Sequence, residues 1–189
     1  MGVVNENHYD YISTYSGGKL HFKNPQPEEI LIEDIAHNLS MICRYNGSVE
    51  KMYSVAQHSI AVAAAVLKAT GDYEQALAGL LHDASEAYLC DIPQPIKPHL
   101  KGYKSMENRI TKAINKKFGV KKVSDVVWDI DNRIVANEAR LRFKVVPEWV
   151  KDFEEVDIED TWFSVVPSED AEATFLYVFN DLMSKINEG

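Results

Sequence analysis

The sequence predicts a compact, all-α bundle of helices with a small β-hairpin at its start. Three observations lead to this prediction. Most of the chain repeats apolar residues at the three- and four-residue spacing of an amphipathic helix. Gly, Pro and short polar runs separate these stretches. Near the start, two β-prone segments, 11–15 and 19–22, flank the turn sequence Ser16-Gly17-Gly18, which is typical of a hairpin.

Start and stop signals place the helices in order along the chain. Pro27, followed by two acids, opens the first helix, and the turn 44–47 ends it. The segment 70–72 separates the second helix from the third, which ends at the prolines after Cys90. Ser124 is a suitable N-cap for the fifth. The predicted helices span 27–43, 54–69, 73–90, 104–118, 124–143 and 168–187, an irregular loop spans 145–167, and 1–24 is the hairpin segment of a single domain, 1–189.

Composition excludes several classes of protein. A chain of 189 residues, 46% apolar and 26% charged, is expected to form one globular domain. The net charge of −9 argues against a partner that is a nucleic-acid polymer, because such binders need a basic surface. No apolar run approaches the ~20 residues that span a membrane. With no signal-peptide pattern and two unpatterned thiols, Cys43 and Cys90, we expect a cytoplasmic protein.

The most informative stretch is Leu-His-Asp-Ala-Ser-Glu at 81–86, which follows an apolar run. On a continuous helix Glu86 would lie one turn beyond both His82 and Asp83. Burying an imidazole and two carboxylates together is costly unless a cation, such as a metal ion, compensates them. For these six residues alone, a surface histidine with two solvated acids is an equally good interpretation.

Two further polar residues lie on apolar helix faces. His58 shares its face with valines and alanines, where a hydrogen-bonded core histidine is the commoner role. Asp131 lies on the apolar face of the fifth helix, whereas Asp129 lies on a polar face and should be solvated. Alone, Asp131 would be interpreted as a salt-bridge partner of Arg140 or Arg142. Together, the candidate ligands are two imidazoles and two carboxylates from three helices: His58, His82, Asp83 and Asp131. This set favours one divalent metal of intermediate softness (Mn, Fe, Co, Ni or Zn) over Mg alone. Mg could assist as a further ion.

The order of these four residues resembles the signature of the HD-domain metal-dependent phosphohydrolases. The segments HDASE at 82–86 and DIPQPIK at 91–97 closely resemble the bacterial 5'-deoxynucleotidase branch of that family. Arg44-Tyr45 resembles an Arg–aromatic pair of the branch, although Tyr45 stands where the branch has Trp. Residues 15–40 are similar to small phage hydrolases that include dATP triphosphohydrolases. The resemblance covers residues 11–143.

The resemblance implies an HD-domain helical bundle and a hydrolase that acts on deoxynucleotides, most simply a 5'-deoxynucleotidase releasing phosphate from monophosphates. Glu86 would be the general acid/base and Asp91 a second catalytic carboxylate, with Arg44, Tyr45 and Lys97 binding substrate. From the sequence alone, other roles remain open for three of them. Asp91 could cap the proline turn, Arg44 could be a surface residue at a helix end, and Lys97 could be solvated.

Three alternatives remain for the function. One is a dATP-type triphosphohydrolase of phage origin, another a non-enzymatic nucleotide sensor, and the third a two-iron oxygenase. The oxygenases use extra histidines between the His-Asp pair and the last Asp, where this chain has only His99, so we expect one metal per site. A structural role is expected for His37. By resemblance we also expect a homodimer or larger homo-oligomer.

Overall fold

The computed structural model describes residues 10–189, which begin with a two-stranded antiparallel hairpin. Strand β1 (Ile12–Ser13) pairs with β2 (Lys19–Leu20), and Gly17 in the turn has a φ of +84°, which glycine adopts without strain. The buried carboxylate of Asp34 accepts hydrogen bonds from the amide and hydroxyl of Ser16, which ties the turn to the first helix. The predicted hairpin is confirmed. Residues 1–9 of the predicted 1–24 segment lie outside the described part of the chain.

The predicted all-α class is confirmed as well. Helices fill most of the described chain, and short 3-10 turns connect several of them. The α-helices are α1 (Ile32–Met41), α2 (Val55–Thr70), α3 (Tyr73–Leu81), α4 (Glu86–Leu89), α5 (Tyr103–Phe118), α6 (Asp125–Arg142) and α7 (Ser168–Glu188), and the 3-10 turns are Pro27–Glu29, Arg44–Gly47, Lys97–His99, Glu148–Asp152 and Asp160–Phe163.

Helix α2 lies at the centre of the bundle. It packs against α1, α3, α6 and α7, and its Ala- and Val-rich sequence is buried on most sides. It lies close to α3 at Gly79, where an added Cβ would meet methyl groups of Val62 and Val66 at 3.4 Å. This close packing brings the carboxyl end of α3 beside the first turn of α2.

The predicted third helix, 73–90, is wrong as a continuous element. Helix α3 ends at Leu81, tight turns with hydrogen bonds between residues three apart follow, and α4 begins at Glu86. The cause is a side chain: Nδ1 of His82 donates to the carbonyl of Gly79 at 2.7 Å. In an uninterrupted helix that carbonyl would accept the amide of Asp83. The turn therefore reorients His82, Asp83 and Glu86 relative to a regular helix.

The predicted first helix, 27–43, is also divided. A 3-10 turn at Pro27–Glu29 is closed by the side chain of Glu29, which accepts the backbone amides of His21 and Gln26. Ile30 and Leu31 are then extended, and α1 starts at Ile32. The extended segment places Ile30 fully inside the core, which favours this backbone over a continuous helix.

The late part of the chain covers the bundle. The predicted irregular loop, 145–167, is confirmed apart from its two short 3-10 turns. The amide side chain of Asn137 on α6 both donates to and accepts from the backbone of Val156, and Phe163 inserts into the core. Helix α7 then packs along α1, α2 and α3, burying Phe175 and Phe179. None of the described helices combines the length and apolar composition that crossing a membrane requires.

Candidate metal centre

Four predicted ligands converge at one point of the bundle, where α2, the end of α3 and α6 meet. Nε2 of His58 lies 3.1 Å from Oδ1 of Asp131, and Nε2 of His82 lies 3.3 Å from the same oxygen. Nε2 of His82 is also 3.1 Å from Oδ2 of Asp83. One ligand atom from each of the four residues lies within 4.8 Å of every other, so the group could bind a metal ion.

The spacing of these atoms fits a metal shell. Metal–ligand bonds of about 2.0–2.2 Å leave neighbouring ligand atoms about 2.8–3.1 Å apart in octahedral geometry and about 3.3–3.6 Å apart in tetrahedral geometry. The two Nε2 atoms of His58 and His82 are 3.3 Å apart and face each other. Two imidazole lone pairs that face each other repel unless a proton or a cation lies between them. The geometry therefore suits a divalent cation.

The opposite nitrogen of each imidazole is fixed by a hydrogen bond. Nδ1 of His58 lies 2.7 Å from Oε1 of Glu138, and Nδ1 of His82 lies 2.7 Å from the carbonyl of Gly79. Both partners are acceptors, so each Nδ1 carries a hydrogen, and the Nε2 of a neutral ring is left available to bind a metal at the centre. This arrangement is the usual support of histidines that bind metals in proteins.

Local sequence signals define where α2 and α6 begin. Before His58, the hydroxyl of Ser54 accepts the amide of Gln57 and the Gln57 side chain accepts the amide of Ser54, a capping box that starts α2. The predicted Ser124 cap accepts the amide of Val127 at 3.5 Å and starts α6 one residue later. Because both starts are defined, the side chains one or two turns later point in defined directions.

Electrostatics show how strongly the four groups interact. Burial would raise the pKa of both aspartates, but the His82 imidazole holds the pKa of Asp83 at about 2 and that of Asp131 lower still. Burial would lower the pKa of His82, yet the two carboxylates together place it well above its usual value. The cluster thus favours a positive charge among its carboxylates. A bound cation would take over this role from a proton.

Glu138, which was not among the predicted site residues, connects three side chains beneath the centre. Besides His58, its carboxylate accepts the hydroxyl of Tyr45 at 2.5 Å and Nε of Arg44 at 3.2 Å. Although burial opposes ionisation, Arg44 and His58 lower the pKa of Glu138 to about 2. The only sequence signal for this role was its position seven residues after Asp131, on the same helix face.

Arg44 and Tyr45 lie beside the centre, as expected of substrate-binding candidates. Arg44 is buried and pairs with both Glu138 and Asp83, so its interpretation as a surface residue at a helix end is wrong. Tyr45 has a φ of +56°, an uncommon conformation for a non-glycine residue, and its ring contacts Phe143 edge to face. Whether either side chain contacts a substrate remains a prediction.

Glu86 and Lys97 form an ion pair at the side of the centre. Nζ of Lys97 lies 2.8 Å from Oε1 of the buried Glu86 and 3.4 Å from Glu107, so Lys97 is not a solvated lysine. Oε2 of Glu86 is buried without a hydrogen-bond partner. Burial, with the charges of Asp83 and Asp91, raises the pKa of Glu86 to about 8 despite Lys97. Glu86 can therefore hold or release a proton near neutral pH.

Asp91 is half-buried where α4 ends. It follows Cys90, whose backbone has a φ of +66°, and burial raises the pKa of Asp91 while Arg44 opposes that shift. In residues 10–189 the Asp91 carboxylate accepts no hydrogen bond that would cap the proline turn. Strained residues on both sides of a polar centre, Tyr45 and Cys90, are typical of functional sites.

The remaining histidines named from the sequence lie outside the centre. His37 stacks on Tyr15 and hydrogen-bonds Glu172 at 2.9 Å, which agrees with the structural role expected of it. His99 is exposed at the end of the 3-10 turn Lys97–His99. Within residues 10–189 the four-residue group is the single cluster of this kind. One metal per site stays a prediction.

The fold and the site define a helical protein with a candidate metal centre of two histidines and two aspartates. No family model matches the chain. YfdR, an uncharacterized protein of Escherichia coli K12, is 40% identical over 131 residues, which cover 69% of this chain and 71% of YfdR. An uncharacterized protein of Rhodobacter capsulatus is 40% identical over 110 residues, 56% of each chain. The chain therefore belongs to the family of YfdR.

The assignment of Asp131 as a ligand can be tested against its neighbour Asp129. We expect Asp131→Asn to lose bound divalent metal, because one of the four converging ligand atoms is replaced by a weak amide ligand. Asp129, whose side chain is 60% exposed and pairs with Arg133, is the matched control on the same helix. Asp129→Asn should keep the wild-type metal content. Metal content is measured by elemental analysis after dialysis, and full retention in Asp131→Asn would contradict the four-ligand centre.

The supporting role of Glu138 can be tested in the same way. Glu138→Gln should weaken metal affinity by about 10–100-fold, the usual effect of removing the carboxylate behind a ligating histidine. Glu172→Gln is the control, because Glu172 pairs with His37 in a carboxylate–histidine contact outside the centre. Affinities are measured by competition with a chromogenic chelator. Equal affinities in the two variants would show that Glu138 does not support metal binding.

Proposed function

We propose that the protein is a metal-dependent phosphohydrolase that releases phosphate from deoxynucleoside 5'-monophosphates. The observation that carries this proposal is the position of Glu86 beside the four-ligand cluster. A buried carboxyl group with one oxygen free of hydrogen bonds can transfer a proton to or from a reacting group. The resemblance to the HD-domain phosphohydrolases supports the same chemistry.

Each residue of the centre would have a distinct role in the reaction. His58, His82, Asp83 and Asp131 would hold a divalent cation, which when bound polarises a phosphate oxygen and lowers the pKa of water. Glu86 would take the proton of the attacking water or deliver one to the departing sugar oxygen. Lys97, held against Glu86, keeps that carboxyl oriented.

The charge around the site favours a substrate with one phosphate over one with three. Arg44 is already paired with Glu138 and Asp83, and Lys97 with Glu86 and Glu107. A triphosphate carries up to four negative charges, and neither cation is left unpaired to neutralise the phosphates beyond the first. Carboxylates outnumber cations at the centre, so a bound metal ion could offset the charge of one phosphate group, whereas the further phosphates of a triphosphate would be repelled.

Asp91 is a suitable acceptor for a sugar hydroxyl. The charges of Arg44 and Asp83 act on the pKa of its carboxylate, which accepts no hydrogen bond among the described residues. A deoxyribose whose 5'-phosphate reaches the four ligands could donate its 3'-hydroxyl there. Tyr45, fixed on Glu138, would border the same sugar.

Product analysis tests the proposed function. We expect the purified protein with added Mn²⁺ or Co²⁺ to release orthophosphate from deoxynucleoside monophosphates and to act weakly on triphosphates. Released phosphate and tripolyphosphate are separated and quantified for a panel of both substrate types. Tripolyphosphate from dATP as the main product would replace the proposal by a triphosphohydrolase, and bound metal without any release would favour a sensor.

The role of Glu86 can be separated from that of Glu107, the other carboxylate that contacts Lys97. Glu86→Gln should retain metal but lose turnover by about 10²–10⁴-fold, because the amide cannot exchange a proton while it still contacts Lys97. Glu107→Gln, which changes the other carboxylate on Lys97, should retain turnover within a few-fold. Rates and metal content are measured together. A near-normal rate in Glu86→Gln would move the proton transfer to Asp91 or to water.

A further inference from the structure

Trp128 on α6 lies at the outer edge of the candidate metal centre. It is three residues before Asp131 and therefore on the same side of the helix. Its ring meets the ring of His82 edge to face, with centroids 6.3 Å apart and an interplanar angle of 82°. One candidate ligand, His82, thus contacts the Trp128 ring, and another, Asp131, lies on the same side of α6.

Core packing does not account for this tryptophan. Its helix neighbours Val127 and Ile130 are buried, and they belong to the apolar cluster between α2 and α6. Trp128 is 45% exposed and belongs to none of the apolar clusters of residues 10–189. Trp149, by contrast, packs its ring against Phe153. An indole held at a polar centre and left open to solvent is suited to contact another molecule.

Tyr45, another aromatic residue beside the centre, already has protein partners. The ring of Tyr45 contacts Phe143 and the guanidinium of Arg44, and its hydroxyl is held by Glu138. Trp128 therefore supplies an apolar, planar surface beside ligands that would bind a phosphate.

We propose that Trp128 is the platform on which the nucleobase of the substrate stacks while its phosphate lies at the four ligands. This inference rests on the proposed function and adds the recognition of the base. A 5'-nucleotide carries its base one sugar away from phosphorus, which matches a platform next to the ligand shell. Stacking needs a π-face and no hydrogen-bonding pattern, so the site accepts all bases and favours purines for their larger area.

Kinetics on ligands with and without a base test the platform. Trp128→Ala should raise KM for dAMP by about 5- to 100-fold, as expected for a lost stacking contact, with little change in kcat. It should leave KM for 2-deoxyribose 5-phosphate unchanged, because that substrate has no base. Trp128→Phe should recover much of the loss. Trp162→Ala, similarly exposed at 41% and without a ring contact to the four ligands, is the control.

A binding measurement decides the question independently of turnover. The chain has three tryptophans, so Trp149→Phe/Trp162→Phe leaves Trp128 as the single indole. This variant, loaded with Zn²⁺, is titrated with the methylenephosphonate analogue of dAMP, which cannot be hydrolysed, and separately with inorganic phosphate. The analogue should change the Trp128 emission through ring stacking, and phosphate should leave it unchanged.

The kinetic and binding experiments distinguish a failure of the proposed function from a failure of the Trp128 platform. If the wild-type protein hydrolyses neither dAMP nor 2-deoxyribose 5-phosphate, the proposed function fails, and the titration still tests the platform. Equal loss on both substrates in Trp128→Ala, or loss of metal in Trp128→Phe, would mean that the indole only supports His82 and would overturn the platform. The same conclusion follows if the emission responds alike to the analogue and to phosphate.

Discussion

The contact between His58 and Glu138 is the interaction on which the centre depends. Both side chains are fully buried, and their 2.7 Å hydrogen bond directs the free nitrogen of His58 toward Asp131. A buried carboxylate needs compensation, which Arg44 and Tyr45 supply from the segment between α1 and α2. The charge of one glutamate therefore joins α2, α6 and a connecting turn into one rigid group.

The backbone departs from regular helix geometry at three places around this centre. Helix α3 stops where His82 takes the carbonyl of Gly79 for itself, and Tyr45 and Cys90 adopt conformations that non-glycine residues rarely enter. Each of these features costs stability that regular helices would have retained. The close α2–α3 packing at Gly79 and the buried residues of α7 offset that cost.

The charged side chains of the site pair mainly with one another. Its two cations, Arg44 and Lys97, are each shared between two carboxylates, so they position catalytic candidates more than they attract a distant anion. A cation bound by the four ligands would then supply the positive charge for a phosphate group. An open aromatic surface, Trp128, adds an apolar contact that is independent of charge.

Periodicity and start signals in the sequence were enough to predict the hairpin, four of the six helices and the inward positions of His58 and Asp131, because these depend on residues within one or two turns. The break after Leu81, the role of Glu138 and the pairing of Lys97 could not be predicted. Each depends on where a side chain finds a partner after packing, and helix patterns do not specify that. The same limit applies to Trp128: its spacing from Asp131 was visible in the sequence, but its contact with His82 exists only because α6 packs beside the end of α3.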